Sequence, residues 1–164
     1  MHIISVIGGS DSGPAAIKEA EIIGQEVAKR GGVVACGGLG GIMRAVCKGA
    51  KSEDGITIGI LPTEHREHAN EYVDIAIPTG LGYARNFLVA KAGEAVIAIA
   101  GSAGTLSEMA IAWFSDRPIV ALASSGGWAK KLAGKKIDDR RNDEIHRADT
   151  PQEAVKIAFD MIGE

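Results

Sequence analysis

The sequence predicts a single α/β domain, residues 1–164, with a doubly wound, mostly parallel Rossmann-like sheet of about six or seven strands and helices on both faces. Short apolar runs alternate with helix-compatible segments along the whole chain, which is the pattern of βαβ units. Several runs are apolar at nearly every position, as parallel strands covered on both faces should be. Four runs end in glycine, and a chain of 164 residues is long enough to bury such a sheet.

The first half of the chain contains three predicted strands and two predicted helices. Pro14 suits the first turn of a helix, and Gly31 with Gly32 suits its C-terminal stop. The run at 56–60 is nearly all apolar, which predicts a strand covered on both faces. The predicted elements are strands 3–7, 32–36 and 56–60 and helices 14–30 and 40–51.

The second half contains four predicted strands and three predicted helices. Residues 95–99 and 119–122 form almost continuous apolar runs, which are typical of central parallel strands. Near the end, Thr150 can cap a helix that has Pro151 at its first position and Glu153 in its first turn. The predicted elements are strands 73–77, 94–99, 118–122 and a short one near 145–147, and helices 82–92, 105–115 and 151–162.

Residues 124–143 contain glycines and serines followed by a polar, charged stretch, which predicts an excursion over the surface. Its lysines and arginines are interpreted as a solvated face. They could instead form a nucleic-acid patch, but only Trp128 lies nearby for base stacking and acids are interspersed. This pattern argues against nucleic-acid binding.

The overall composition also limits the classes of function. A formal net charge of −3 and an isoelectric point near 5.8 provide no general attraction to nucleic acid or to an anionic membrane. No positive region precedes the first apolar run and no span of 18 apolar residues occurs, so we expect a cytoplasmic protein. Cys36 and Cys47 lack a metal or redox spacing and are expected to pack as small apolar residues.

Four glycine-rich loops follow predicted strands, at residues 8–13, 37–41, 78–82 and 100–104. Because the carboxyl ends of parallel strands share one edge of a sheet, these loops should lie side by side. Ligands of open α/β sheets bind outside these ends, where the strand order reverses. The sequence therefore predicts one crevice to which all four loops contribute.

The stretch 99–108 is the most informative of these regions, because two glycines join an apolar strand to an apolar helix. Glycines leave backbone N–H groups unblocked. The first helical turn adds unpaired N–H donors and the positive end of the helix dipole. The turn formed by Gly101, Ser102, Gly104 and Thr105 is therefore expected to bind a phosphate group.

Two common nucleotide-site motifs are absent from the chain. The string nearest to a Walker A loop, residues 134–136, lacks both the hydroxyl residue and the preceding strand. The first loop does not read G-x-G-x-x-G, and the second strand ends in Cys36 rather than in an acid, which disfavours NAD. The pattern instead indicates a mononucleotide or another phosphate-bearing ligand.

Three motifs, at residues 36–43, 79–86 and 100–108, are similar to those of the molybdenum cofactor carrier protein-like family. The wider group includes the LOG cytokinin-activating phosphoribohydrolases, some of them once labelled lysine decarboxylases, and the Rossmann-like domain of the DNA-processing protein DprA. The resemblance covers about residues 1–123, with a weaker match in the last helix. It implies a Rossmann-like fold with a nucleotide-like ligand, and the carrier branch implies the pterin phosphate of molybdenum cofactor.

The resemblance also implies roles for two residues. In the hydrolase branch, an arginine and the glutamate of a P-G-G-x-G-T-x-x-E motif act on the N-glycosidic bond of a nucleoside monophosphate. Arg85 and Glu108 occupy these places. However, Ala100 replaces the proline, Ser102 replaces the second glycine, and the Ala-Arg-Asn string at 84–86 has the form of the carrier branch. These departures favour ligand binding over hydrolysis.

Each candidate residue also has a purely structural interpretation. Thr105 and Glu108 fit a capping box, but a phosphate at the helix start would compete for the same amides and free Glu108 for the ligand. Arg85 lies near a helix start, where the dipole does not favour it, and its side chain can reach back toward the crevice. Asn86 is expected to support its loop. Ser10 can cap the following helix or contact the ligand, and both interpretations stay open.

The candidate site has Arg85 and Glu108 as catalytic residues and no metal ligands. His65 and His68 are assigned to a flexible polar loop after the third strand. The candidate ligand-binding residues are Gly8, Gly9, Ser10, Gly37, Gly38, Gly41, Thr79, Gly80, Arg85, Asn86, Gly101, Ser102, Gly104, Thr105 and Glu108.

Two functions follow from this pattern. The first is binding of a small phosphorylated ligand, molybdenum cofactor or a nucleoside monophosphate, by a carrier. The second is hydrolysis of a nucleoside 5′-monophosphate to free base and ribose 5-phosphate, and DprA-like DNA binding ranks below both. We also expect a homo-oligomer, a dimer or tetramer, because helix 105–115 is apolar nearly all round. Its second face, with Trp113 and Phe114, would otherwise need residues 124–143 as cover.

Overall fold

The computed structural model describes residues 1–164 and contains one seven-stranded sheet and six α-helices. Every pair of neighbouring strands is parallel, so the predicted Rossmann-like α/β fold is confirmed. The strands are β1 Ile3–Gly8, β2 Val33–Cys36, β3 Ile56–Leu61, β4 Ile75–Pro78, β5 Ala95–Ile99, β6 Ile119–Leu122 and β7 His146–Ala148.

The helices alternate with the strands as the sequence predicts. None of the six has the length and apolar character needed to cross a lipid bilayer. Three short 3₁₀ turns lie at Arg66–His68, Gly82–Arg85 and Ala123–Ser125. The helices are α1 Pro14–Lys29, α2 Ile42–Ser52, α3 Asn86–Ala92, α4 Ala103–Phe114, α5 Gly127–Leu132 and α6 Pro151–Met161.

The order of the strands in the sheet is β4-β3-β2-β1-β5-β6-β7. The direction of winding reverses between β1 and β5, whose last residues, Gly8 and Ile99, are paired in register. In doubly wound sheets, ligands bind outside the carboxyl ends of the strands at this reversal. The loops that follow β1 and β5 therefore flank the position at which ligands of doubly wound sheets bind.

Both faces of the sheet are covered by helices, which accounts for the almost continuous apolar runs in its central strands. One core layer joins the sheet to α1, α2 and α6 through residues such as Ile23, Val46 and Phe159. The other layer joins it to α3, α4 and α5 through residues such as Val89 and Met109.

The clearest helix signals in the sequence are confirmed. Helix α1 begins at Pro14 and ends at Lys29, shortly before Gly31, which has a positive φ of 72°. Helix α6 begins with a side-chain cap, because the Thr150 hydroxyl accepts a 3.2 Å hydrogen bond from the Glu153 amide, and the Glu153 carboxylate accepts one from the amide of Asp149, the residue before the N-cap.

The predicted helix at 82–92 is divided in the structure. Gly82 has a φ of 58°, a left-handed conformation that an α-helix does not contain. A single 3₁₀ turn therefore spans Gly82–Arg85, and the α-helix begins only at Asn86. Arg85 lies at this junction, and its side chain points toward Gly37, just after β2.

The charged residues of 124–143 are exposed as predicted, except Arg141, and the segment also contains a helix that the sequence did not predict. Residues 127–132 form helix α5, which is short and begins with a glycine, so its helical signal is weak. Arg141 is buried rather than solvated, because its guanidinium stacks 4.5 Å from the Trp113 ring centroid and donates to the carbonyls of Trp113 and Arg117. The segment thus covers Trp113, whose indole N–H donates to Asp138 over 2.9 Å.

Candidate functional site

A crevice of about 1330 Å³ opens at the carboxyl edge of the sheet, above the ends of β1 and β5. It is lined by the loops after β1, β2 and β5, by the 3₁₀ turn Gly82–Arg85 after β4 and by residues of α3 and α4. Arg85 and Glu108 are the charged side chains among the lining residues. Ten predicted ligand-binding residues line it, namely Gly8, Gly9, Ser10, Gly37, Arg85, Asn86, Ser102, Gly104, Thr105 and Glu108.

The turn between β5 and α4, residues 100–104, presents the N-terminal end of a twelve-residue helix to this crevice. Helix α4 begins at Ala103, with Ser102 at the N-cap, and no side chain caps it. The first backbone N–H groups of a helix have no partner within the helix. The turn therefore offers amide donors and the positive end of the helix dipole to an anion.

The capping-box interpretation of Thr105 and Glu108 is wrong. Because α4 begins two residues before the predicted start, Thr105 lies at the third helical position and Glu108 near the middle of the second turn. A capping box requires the hydroxyl at the N-cap and the carboxylate three residues later. Glu108 is consequently not engaged with the backbone at the helix start.

The Arg85 side chain is 9% exposed and extends from the 3₁₀ turn toward the end of β2. Its terminal nitrogens donate to the Asn86 side chain and, over 3.4 Å, to the Gly37 carbonyl. Its Nε atom is buried and has no hydrogen-bond partner. Burial lowers the pKa of the guanidinium, whereas the nearby Glu108 and Cys36 act to raise it. Arg85 thus has one buried N–H group without an acceptor.

Asn86 connects Arg85 to the start of α4. Its side-chain oxygen accepts from Arg85, and its Nδ2 atom donates to the Ser107 hydroxyl over 3.1 Å. The Ser107 hydroxyl in turn donates to the Gly104 carbonyl over 2.6 Å. The expected supporting role of Asn86 is consistent with these contacts. Ser107, which is not among the predicted site residues, completes the chain of contacts and lies one residue before Glu108.

The Glu108 carboxyl group is 7% exposed and has no hydrogen-bond partner in the chain. Burial raises its pKa to about 8, although the positive charge of Arg85 acts to lower it. No ion pair forms between the two side chains in the structure. A buried carboxyl group with this pKa is mostly protonated at pH 7.

The other five predicted ligand-binding residues are not part of the crevice lining. A Cβ atom at Gly41 would stand 2.6 Å from the carbonyl oxygens of Gly9 and Ser10, so Gly41 allows the loop after β1 to approach α2. The Thr79 hydroxyl donates to the Leu61 carbonyl over 2.6 Å. The residues that do not line the crevice are Gly38, Gly41, Thr79, Gly80 and Gly101.

The loop after β1 contributes its backbone more than its side chains. Gly13, not a serine or Asp11, occupies the N-cap of α1, and no side chain caps that helix. The Ser12 hydroxyl instead donates to the Gly9 carbonyl over 3.4 Å. Ser10 is exposed at the crevice and does not take part in capping α1.

Six apolar side chains also line the crevice and are together termed its apolar wall. Their signal in the sequence is weak, because each resembles an ordinary core residue of a strand end or helix. Tyr83 stands at the mouth with 91% exposure. The wall includes Leu39, Met43, Pro62, Tyr83, Phe87 and Ile111.

His65 and His68 lie outside the crevice, in the segment that follows β3. Their rings are in edge-to-face contact at 5.6 Å between centroids, and His68 is hydrogen-bonded to Thr63. Asn70 anchors the end of this segment, because its side chain donates to the Leu39 carbonyl over 2.9 Å.

The sequence and the fold are similar to those of known proteins. The model of the SLOG cluster4 family matches residues 1–155. The molybdenum cofactor binding protein from the phototrophic bacterium Rippkaea orientalis is 33% identical, with a TM-score of 0.88 over 98% of this chain and 97% of that chain. The molybdenum cofactor carrier protein MCP from Chlamydomonas reinhardtii is 29% identical, with a TM-score of 0.87 over 100% of both chains.

More distant similarities agree with the same superfamily. The cytokinin riboside 5′-monophosphate phosphoribohydrolase from Mycobacterium marinum is 29% identical over 136 residues, covering 73% of this chain and 72% of that protein. DNA processing protein A from Helicobacter pylori is 17% identical, with a TM-score of 0.68 over 98% of this chain and 81% of that chain. At that identity the likeness concerns the fold alone.

Proposed function

The chain belongs to the SLOG cluster4 family, and on this basis we propose that it binds a small phosphorylated, nucleotide-like ligand and acts as a carrier rather than as a catalyst. The phosphate group lies against the turn at 100–104, and the ring system lies against the apolar wall. Molybdenum cofactor is the ligand that we favour, as cargo rather than as a resident group. The carrier and binding proteins of Rippkaea orientalis and Chlamydomonas reinhardtii support this choice.

One observation carries the proposal. The uncapped start of α4 and Arg85 line the same crevice. Both groups attract anions, and the only acidic side chain that lines the crevice, Glu108, has its pKa raised to about 8. A phosphate at this site is therefore not repelled by a carboxylate at neutral pH.

The remainder of the crevice suits a flat ring system. Met43, Phe87 and Ile111 provide apolar contact surface, while Asn86 and Ser10 provide polar groups for ring or hydroxyl atoms. A volume of about 1330 Å³ exceeds the range of about 300–1,000 Å³ usual for ligand pockets. A pterin phosphate or a nucleoside monophosphate is compatible with these dimensions.

Native mass spectrometry of gently purified protein tests the carrier function directly. We expect a bound species that carries phosphorus and is released on denaturation, and addition of AMP should displace it or fill free sites. A protein that carries nothing and binds neither molybdenum cofactor nor AMP at millimolar concentration would contradict the proposal.

A second candidate is hydrolysis of a nucleoside 5′-monophosphate. It is supported by the placement of Arg85 and Glu108 in one crevice and by the similarity to the phosphoribohydrolase of Mycobacterium marinum. If turnover occurs, we expect Glu108→Ala to abolish release of free base while leaving AMP binding within about threefold, since the role would be in the transition state. If the unmodified protein releases no base from any common monophosphate, the hydrolase function is rejected.

We further propose that the protein forms a homo-oligomer through α3 and α4. Phe87, Leu88 and Phe114 are each between 42% and 45% exposed, and the two phenylalanine rings lie 6.2 Å apart. Trp113 is already covered by its own chain. The patch borders the crevice wall at Phe87, so a second copy would place its surface beside the ligand.

Light scattering at micromolar concentration tests the assembly. We expect at least a dimer, and we expect Phe114→Glu to shift it toward the monomer, because a charge replaces an apolar contact. Gln152→Glu is the control, since Gln152 is exposed on α6, which packs on the opposite face of the sheet. A monodisperse monomer of the unmodified protein would overturn this proposal.

A further inference from the structure

Ala100, the first residue of the turn before α4, has an unusual backbone conformation. Its φ is +49°, and only Asp54 and Asp116 share a positive φ among the residues other than glycine. A residue with a Cβ atom is strained in this left-handed region and persists there only where its surroundings hold it. A proline, with φ restricted to about −65° and no N–H group, could not replace it in this conformation.

Three hydrogen bonds join the backbone of this turn to residues 125–129. The Ala100 N–H donates to the Ser125 hydroxyl over 2.7 Å, and the same hydroxyl donates to the Leu122 carbonyl over 2.6 Å. The Ala129 N–H donates to the Ala100 carbonyl over 3.1 Å. The Trp128 N–H donates to the carbonyl of the next residue in the turn over 3.2 Å.

Gly127 shows how closely these two segments approach. A Cβ atom at this position would lie 2.6 Å from the Ala100 carbonyl carbon and 2.7 Å from the Gly101 nitrogen. Its φ of 57° also belongs to the left-handed region. Glycine is therefore required for the start of α5 to pack against the back of the turn.

We propose that residues 125–129, here termed the brace segment, hold the turn at 100–104 in its anion-binding shape, and that Ser125 is a positioning residue for the ligand's phosphate group. The inference rests on the proposed function, because it assumes that the phosphate lies at this turn. No residue of the brace segment lines the crevice. Ser125 acts through Ala100, whose buried N–H it satisfies and whose conformation it maintains.

The role is specific to the turn for a physical reason. Loss of the Ser125 hydroxyl leaves the Ala100 N–H without its acceptor and removes one of the contacts that offset backbone strain. The amides at the start of α4 then lose their alignment toward the phosphate. The apolar wall, Arg85 and Asn86 make no hydrogen bond with Ser125, so we expect binding of the ring system to be unaffected.

The test compares Ser125→Ala with Ser124→Ala. Ser124 is the adjacent residue, but it is exposed and its hydroxyl donates to Glu19 on α1, away from the turn. Affinities for AMP and adenosine are measured by calorimetry, and exchange of individual amide hydrogens is followed by NMR without ligand. Ser125→Thr, which keeps a hydroxyl group, serves as the conservative rescue variant.

We expect Ser125→Ala to weaken AMP binding by about fivefold, the effect of one backbone hydrogen bond, with adenosine binding unchanged. We also expect the Ala100 amide to exchange at least about fivefold faster, with Ser124→Ala unchanged and Ser125→Thr restored. Equal exchange at Ala100 in the Ser125→Ala and unmodified proteins would overturn the brace. Equal binding of AMP and adenosine by the unmodified protein would instead reject the phosphate site. Amide exchange at Ala100 would in that case still test whether the brace segment holds the turn.

Discussion

Replacement of Gly104 by aspartate is expected to weaken binding of AMP by about 100-fold or more, equivalent to about 3 kcal/mol. Gly104 lies in the first turn of α4 and lines the crevice. No atom of the protein lies within 4 Å of the position that a Cβ atom would occupy. The new carboxylate would therefore extend into the crevice and accept hydrogen bonds from the amides at the start of α4 that we propose for the phosphate. It would also repel the phosphate group.

The same geometry makes the substitution a clean test. Because the side chain meets open space and an acid in the first turn of a helix is favourable, thermal stability should be unchanged or slightly higher. Gly104→Asn has nearly the same size without the charge and should lose less affinity. A folded Gly104→Asp protein with undiminished affinity in calorimetry would show that the phosphate does not bind at this turn.

Replacement of Glu108 by glutamine is expected to raise the free energy of unfolding at pH 9 by an amount on the order of 3–5 kcal/mol. The carboxyl group is 7% exposed, and burial raises its pKa from 4.5 to about 8. The folded state therefore holds a proton that the unfolded state releases between these values. Stability of the unmodified protein falls as pH rises from about 4.5 to about 8, and glutamine, which does not titrate, removes this loss.

Denaturant unfolding of both proteins at pH 5 and pH 9 measures the effect. The two should differ little at pH 5, where Glu108 is protonated in the folded protein. Glu144→Gln is the control, because Glu144 is exposed in the loop before β7 and makes no hydrogen bond. Identical pH dependence in the Glu108→Gln and unmodified proteins would show that Glu108 does not titrate as the structure indicates.

The same ionisation should act on the ligand. Above about pH 8 the carboxylate of Glu108 and a bound phosphate would both be negative within one crevice. AMP affinity should therefore decrease through this range in the unmodified protein and stay constant in Glu108→Gln. Arg85 is the only other charged side chain that lines the crevice, and it remains protonated throughout.

The sequence determined the fold class and the approximate position of the site. Apolar runs and glycine-ended strands report burial on both faces and turns at strand ends, which are local consequences of residue type. Parallel pairing then places all strand ends at one edge, so the loops after β1 and β5 could be expected beside the crevice. The capping of α6 by Thr150 is equally local and was predictable residue by residue.

The tertiary structure decided the features that depend on contacts between distant segments. The state of Glu108 depends on burial and on Arg85, which no spacing in the sequence reveals. Helix α5 and Arg141 are stabilised by the turn before α4 and by Trp113, although their own sequence predicts a solvated loop. Local helix propensity is weak in so short a helix. The segment is ordered because burying backbone polar groups and the Trp113 ring requires hydrogen-bond and packing partners, which α5 and Arg141 provide.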